Sequence, residues 1–499
     1  MATAMLTRRF MLEYARRPLN VVLLVIVPLL FVYLSAGAIA DFADVVGFVD
    51  DPELLAGPTA GWAAAFLAGV AGFFHVLGSR DADRRLSGAG MGARRITSAR
   101  LISGLILALV AAGSAIVALW LRTGIDDPLR VILGTLMFSA IYLGIGVAVG
   151  AVAKSDFNGS LIVIFVWMFD VFLGPAMAGG DIWITRLFPT HFVTLVMLDA
   201  SAGHAGPLGD LGWALIWTIA SLGLAAVLFY SATAMRGIDR VRRGAHSGWQ
   251  RLAAGFRYGL RDYRRNIAMW VLLVILPVLF ISLSFYITPG DPTPVELVED
   301  GVASVQIVSL ADVHGAIMVP ITIAFLAGIA GLFVVQGSLD ADARLALAGF
   351  RPREILGARL GVVAMAALLT TFVALGVTAV DFDANNWAWF AAGSVLVALT
   401  YGMLGVLIGS VFGRLGGLYL MFLLPFIDTG LAQNIMFSAA PPSWGAWLPS
   451  RGAVEVLIDG AFTSTFDKTS ALLLAFAWLV GLTLVTAAVF KRIAEPKRA

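Results

Sequence analysis

Residues 66–101 read FLAGVAGFFHVLGSRDADRRLSGAGMGARRITSARL, and residues 325–360 read FLAGIAGLFVVQGSLDADARLALAGFRPREILGARL. Well over half of the 36 aligned positions are identical, at a constant offset of 259. Each copy joins the end of an apolar stretch to a charged loop and then to the start of the next apolar stretch. A chain that duplicates such a corner needs the same contact twice, which points to a pseudo-symmetric membrane protein with a paired soluble partner.

Composition fixes the solvent. Of 499 residues, 60% are hydrophobic and 13% charged, against about 25% charged in soluble domains. Polar groups are too few to cover the apolar surface, so a bilayer must do so. A spanning helix needs roughly 20 apolar residues. Twelve stretches supply them: 19–38, 59–79, 100–122, 129–152, 158–178 and 210–232, then 268–287, 313–337, 360–380, 387–411, 416–437 and 470–490. Little chain is left for a folded soluble domain. The expected fold is an all-α polytopic membrane protein, with twelve transmembrane helices arranged as two parallel six-helix repeats.

Several chemistries are excluded. Cysteine is absent, which removes disulfides, thiolate metal sites and thiol catalysis. The five histidines show no metal-ligand spacing, and no GxxxxGK[ST] loop occurs, so any ATP must bind another chain. The net charge of +2 carries no nucleic-acid signal. TRRFML at 7–12 and AIA at 38–40 faintly imitate a twin-arginine leader and its cleavage site. The same segment has a counterpart at 256–280, where cleavage would make no sense, so it reads as a retained first span.

Loop charge sets the orientation. Arg8, Arg9, Arg16 and Arg17 precede span 1, and Arg80, Arg84, Arg85, Arg94, Arg95 and Arg100 follow span 2. Arg236, Arg240, Arg242, Arg243, Arg251, Arg257, Arg261, Arg264 and Arg265 follow span 6. Lys491, Arg492, Lys497 and Arg498 close the chain. The opposite loops carry Asp41, Asp44, Asp50, Asp51 and Glu53, then Asp291, Glu296, Glu299 and Asp300. The positive-inside rule puts both termini and the central linker in the cytoplasm.

The repeat runs on beyond its core. EYARR at 13–17 parallels DYRRN at 262–266, YLGIGV at 142–147 parallels YGMLGV at 401–406, and LFPTH at 187–191 parallels WLPSR at 447–451. Six spans per half is an even number, so the halves share one orientation. The boundary falls in the Arg-rich linker, giving repeats 1–245 and 246–499. Gly146 and Gly150, with Gly405 and Gly409, form small-xxx-small pairs suited to close helix approach.

Within the corner, GSRDADRRL at 78–86 leads to a turn at Ala89-Gly90 and an amphipathic entry to span 3. In the second copy Gly349 marks the turn and Pro352 stands near the helix start. Asp81, Asp83 and Arg85 match Asp340, Asp342 and Arg344. These charges either dock a soluble motor or only fix topology, and their duplication favours docking.

LAGFRPREILGARL at 347–360 resembles the coupling-helix region of the membrane subunits of type-two ABC exporters, and LSGAGMGARRITSARL at 86–101 is a weaker copy with Arg95 in place of Glu. The lead-ins at 6–18 and 255–267 resemble that family's surface connecting helix. The segments at 179–205 and 438–465 are similar to its re-entrant region before the last span. Most such permeases have six spans and dimerise. The fused form resembles actinobacterial multidrug and ionophore-antibiotic efflux permeases. The resemblance implies a coupling surface made of Asp81, Asp83, Arg85, Arg94 and Arg100 in one copy and Asp340, Asp342, Arg344, Arg353, Glu354 and Arg359 in the other. It also implies two copies of an ATP-binding-cassette subunit carrying Mg-ATP, a bacterial plasma membrane, and no catalytic residue or cofactor in this chain.

Asp170 in FVWMFDVFL (165–173) and Asp428 in LLPFIDTGL (423–431) fall in the fifth span of each half. A carboxylate at that depth is expensive and faces an interior or an aqueous cavity. It either lines the substrate pathway or caps a re-entrant turn. Phe73, Phe74, Trp167, Met168, Phe169, Met421, Phe422 and Phe426 crowd the same spans and suit adaptable apolar binding, or plain packing. The expected function is export of hydrophobic drug, antibiotic or lipid-like molecules. A major-facilitator-type proton-coupled transporter, whose loop between spans 2 and 3 GSRDADRRL partly imitates, is the alternative, and a non-transporting membrane scaffold a third.

Overall fold

Proline and glycine punctuate the apolar stretches into helices. The computed structural model describes residues 2–46, 55–125, 127–177, 183–198, 206–234, 273–338, 352–436 and 442–494. Among these, nine helical segments are long and apolar enough to cross a bilayer, and one hairpin is the only sheet. The chain is an all-α polytopic, multi-pass membrane protein. It divides into two compact units, Met1–Val241 and Arg242–Ala499.

The first unit contains α1 (Ala2–Ala15), α2 (Pro18–Val46), α3 (Ala56–Leu77), α4 (Arg80–Leu86), α5 (Ala93–Arg122), α6 (Pro128–Val152), α7 (Asp156–Phe172), α8 (His191–Leu198) and α9 (Gly206–Ala234). Two starts are capped by short polar side chains: Asp127 accepts from the Arg130 amide and Ser155 from the Asn158 amide. Helix α3 is the most enclosed and α9 leaves most of its surface outward, as a lipid-facing helix must. Where α3 meets α6, a Cβ added to Gly146 would lie 2.0 Å from the Gly69 carbonyl oxygen. Only glycine permits this backbone-to-backbone approach.

The second unit contains α10 (Leu273–Ile287), strands β1 (Pro292–Glu299) and β2 (Val302–Ser309), then α11 (Leu310–Gln336), α12 (Pro352–Asp381), α13 (Trp387–Pro425), α14 (Arg451–Phe462) and α15 (Thr469–Ala494). The glycine contact recurs at the same register: a Cβ on Gly405 would sit 2.0 Å from the Gly328 carbonyl oxygen. Two expected spans, 387–411 and 416–437, form one continuous apolar segment, Trp387–Ala432. It is broken at Gly413, whose φ of 70° and ψ of −167° leave the helical region. Pro425 then removes a backbone donor, and a π-helical turn, Phe426–Ala432, follows it.

The loop at 291–300, read for its acids, folds into an antiparallel hairpin with β2. Asp300 and Gly301 take φ of 54° and 75°, the pair of left-handed residues of a two-residue hairpin turn. Val295 and Leu297 alternate inward and pack with Val313, Ile317, Phe382 and Phe462. At the tip, the Glu299 carboxylate accepts from the Ser464 amide (3.1 Å) and hydroxyl (2.6 Å), and the Asp300 amide donates to Thr465 (3.3 Å).

Those Ser464 bonds, hydroxyl first and amide second, hold the Glu299 carboxyl below its ordinary value of 4.5. A depressed acid stabilises the docked tip above its unfolded value, and that contribution fades as pH falls through the lower folded value. Amide exchange in the hairpin is therefore expected to quicken as pH drops below 4.5, corrected for intrinsic exchange, and Glu299→Gln to flatten that dependence.

Candidate functional site

The corner of the first unit is built from one short helix and its two flanking helices. After α4 the chain makes a π turn, Ser87–Met91, in which Gly90 takes φ of 88°, and Gly92 (φ 77°) starts α5. Asp83 on α4 is fully buried, and Arg100 on α5 nearly so. Arg100 donates through Nε and Nη2 to the two carboxylate oxygens of Asp83, each at 3.0 Å. Ser79 adds a hydroxyl bond to Asp83 at 2.9 Å. The Arg100 guanidinium also lies 3.5 Å over the Phe10 ring of α1, a cation–π contact. Leu6 and Phe10 pack with Ala99. The surface lead-in thus closes one side of the ion pair.

The charges read as docking groups therefore separate into two sets. Asp83 and Arg100 turn inward and join α4, α5 and α1. Asp81, Arg85 and Arg94 are exposed, and Arg85 donates to the Asp81 carbonyl one turn back, at 3.2 Å. In the second copy Asp340, Asp342 and Arg344 lie outside the described residues, as do the lead-in 255–267 and the central linker. Arg353 and Glu354 lie in the first turn of α12, their side chains outside the described set, and Arg359 is half-buried further along it.

The two membrane acids have matching surroundings. Asp170 accepts from the Tyr142 hydroxyl (2.7 Å), the Thr190 hydroxyl (2.7 Å) and the Thr190 amide (3.3 Å). Asp428 accepts from the Tyr401 hydroxyl (2.8 Å), the Ser450 hydroxyl (2.6 Å), the Ser450 amide (2.9 Å) and Gln433 (3.5 Å). Tyr142 and Tyr401 stand on the helices that bear the close-approach glycines. Thr190 and Ser450 immediately precede α8 and α14, and their carbonyls accept the first helical bonds from Thr194 and Val454. Each acid thus ties its own span to a neighbouring helix and to the positive start of a third. Both carboxylates are buried, and a cation entering the site would have to displace these donors. In this geometry each carboxylate accepts from the residue that starts α8 or α14.

Alanine at either acid strands a serine or threonine hydroxyl and an amide, while the tyrosine hydroxyl keeps a main-chain acceptor, the Val166 carbonyl at 3.2 Å or the Leu424 carbonyl at 3.3 Å. Buried groups left unpaired cost about 1–3 kcal/mol each in soluble proteins and average about 0.6 kcal/mol across membrane helices. Thermal unfolding in detergent is expected to show a lower melting temperature for both Asp170→Ala and Asp428→Ala, with Asp428→Asn milder.

Several of the aromatic and methionine residues have defined packing partners. Trp167 donates to the Trp62 carbonyl at 2.9 Å and stacks edgewise on Phe66 at 5.3 Å. Phe73 fills the space over Gly159, and Met421 that over Gly328. Met168 and Phe422 are buried as well, while Phe74, Phe169 and Phe426 remain half-exposed. The partners Tyr142, Thr190, Tyr401 and Ser450 were not singled out, although all four sit in the motifs that align the halves.

No curated protein matches the chain. Residues 83–235, running from the buried Asp83 past the end of α9, match the family described as ABC-2 family transporter protein. That match supports an ABC-2-type permease, the membrane subunit of a transporter.

Proposed function

We propose that this chain is the membrane half of an ATP-driven exporter, with twelve crossings in two six-span repeats. Separate ATP-binding-cassette subunits carrying Mg-ATP dock at the two corners. The exposed face of α4, with Asp81 and Arg85, meets one subunit together with Arg94 at the start of α5, and Asp340, Asp342, Arg344, Arg353, Glu354 and Arg359 serve the other. Asp83 and Arg100 shape the first docking face from beneath. Closure of the ATPase pair moves the corners and, through them, the spans. The cargo is a hydrophobic drug, antibiotic or lipid-like molecule, met by half-exposed aromatics such as Phe74, Phe169 and Phe426. The membrane is a bacterial plasma membrane, with both termini in the cytoplasm. The observation that carries this reading is the duplicated corner within a chain that has no nucleotide-binding loop of its own.

The test is co-expression with a cassette ATPase encoded beside it, followed by purification in nanodiscs and ethidium efflux from proteoliposomes. A stable complex with vanadate-sensitive efflux is expected. Full efflux by the lone chain, driven by a proton gradient, would sink the reading and restore the proton-coupled alternative.

A further inference from the structure

Helix α4 has only seven residues, yet it has two distinct faces. Ala82, Asp81 and Arg85 are exposed, whereas Arg80, Asp83 and Arg84 form an i, i+3, i+4 stripe on the other side. Each member of that stripe grips a different helix. Asp83 holds α5 through Arg100. Arg80 donates through its two terminal nitrogens to the carbonyls of Ala151 and Ala153, both at 2.9 Å, at the end of α6. Arg84 donates through Nε to the Ala232 carbonyl in the last turn of α9, also at 2.9 Å.

Carbonyls at a helix C-terminus have no partner within the helix and carry its partial negative charge, so a guanidinium satisfies both bonding and field. The forked contact of Arg80 fixes orientation as well as position, which a lysine ammonium cannot do.

The second copy of the sequence keeps Asp342 and Arg359 at the positions of Asp83 and Arg100, but has Leu339 for Arg80 and Ala343 for Arg84. Only the residue types of the inner ion pair recur in the second sequence; the two arginines of the helix-end grips do not. In the second unit Arg414, next to the break in α13 at Gly413, donates to the Gln336 carbonyl at the end of α11, at 3.2 Å.

We propose that Arg80 and Arg84 are positioning residues that make the first corner a rigid drive on the fourth and sixth spans, so that the two corners do unequal mechanical work. This rests on the exporter reading above and adds an asymmetry to it.

The chain's lack of cysteine permits a clean test. Ala82→Cys and Ala234→Cys, both exposed, take nitroxide labels in the complex with its ATPase subunits in nanodiscs. Dipolar broadening between the labels is expected to be the same in nucleotide-free and vanadate-trapped complexes. With Arg80→Gln and Arg84→Gln, trapping should change the broadening. ATP hydrolysis should persist while ethidium efflux falls about tenfold, in line with loss of charge-assisted hydrogen bonds. Arg80→Lys with Arg84→Lys should recover efflux only in part.

Labels that separate on trapping in the otherwise unaltered chain overturn the inference, whether or not the glutamine variant folds. So does full efflux by the glutamine variant. Failure of the ATPase subunits to bind at all would instead remove the exporter reading on which the inference stands.

Discussion

Asp83→Ala is expected to destabilise the first unit by roughly 3–5 kcal/mol, the usual cost of stranding one member of a buried ion pair. Arg100 would keep its charge against the Phe10 ring with 3% of its surface exposed. Two charge-assisted bonds of 3.0 Å would vanish, while the Ser79 hydroxyl would keep the His75 carbonyl as its acceptor at 2.8 Å. The effect is one of abandonment more than of lost attraction, because burying two charges already costs most of what their pairing returns. Asp83→Leu combined with Arg100→Met should therefore recover much of the loss, and a double-mutant cycle on thermal unfolding in detergent measures it. An unchanged melting temperature for Asp83→Ala would show that the pair does not hold the corner together.

Gly146→Ala and Gly405→Ala should be comparably damaging for a different reason. In each case the new methyl meets a carbonyl oxygen at 2.0 Å, that of Gly69 or Gly328. A side chain could rotate away; a helix backbone cannot, so the paired helices must part. Overpacking of this kind costs about 1–3 kcal/mol and sometimes more, and the parted helices lose contacts along their length. Gly113→Ala on α5, where a Cβ meets nothing within 4 Å, is the internal control. It should be neutral or slightly stabilising, since alanine favours helix over glycine by about 1 kcal/mol. Size-exclusion profiles and melting temperatures of the three variants decide the matter.

Much of this architecture was legible in advance. The 259-residue repeat located the corner, and Gly146 and Gly405 announced close contacts because small residues in apolar helices have few other uses. Asp83 and Arg100 stand out in the sequence as charges of the corner, but their pairing between α4 and α5 does not. A charged loop gives no phase, and the stripe Arg80, Asp83, Arg84 becomes visible only once those residues are placed on a helix. The Asp300-Gly301 turn between alternating apolar residues was a readable hairpin signal, obscured by counting acids for topology. The surroundings of Asp170 and Asp428 were beyond local pattern reading. Tyr142 and Thr190 lie 28 and 20 residues from Asp170 in sequence, and only the packing of three helices brings them together.

The Phe10–Arg100 stack has a practical corollary for anyone handling this protein. The first helix is a plug: its aromatic ring shields a guanidinium that would otherwise meet water. Shortening the amino terminus to remove α1 should let solvent into the cytosolic elbow and weaken a pair that lies some ninety residues downstream. Affinity handles are better carried at the other end.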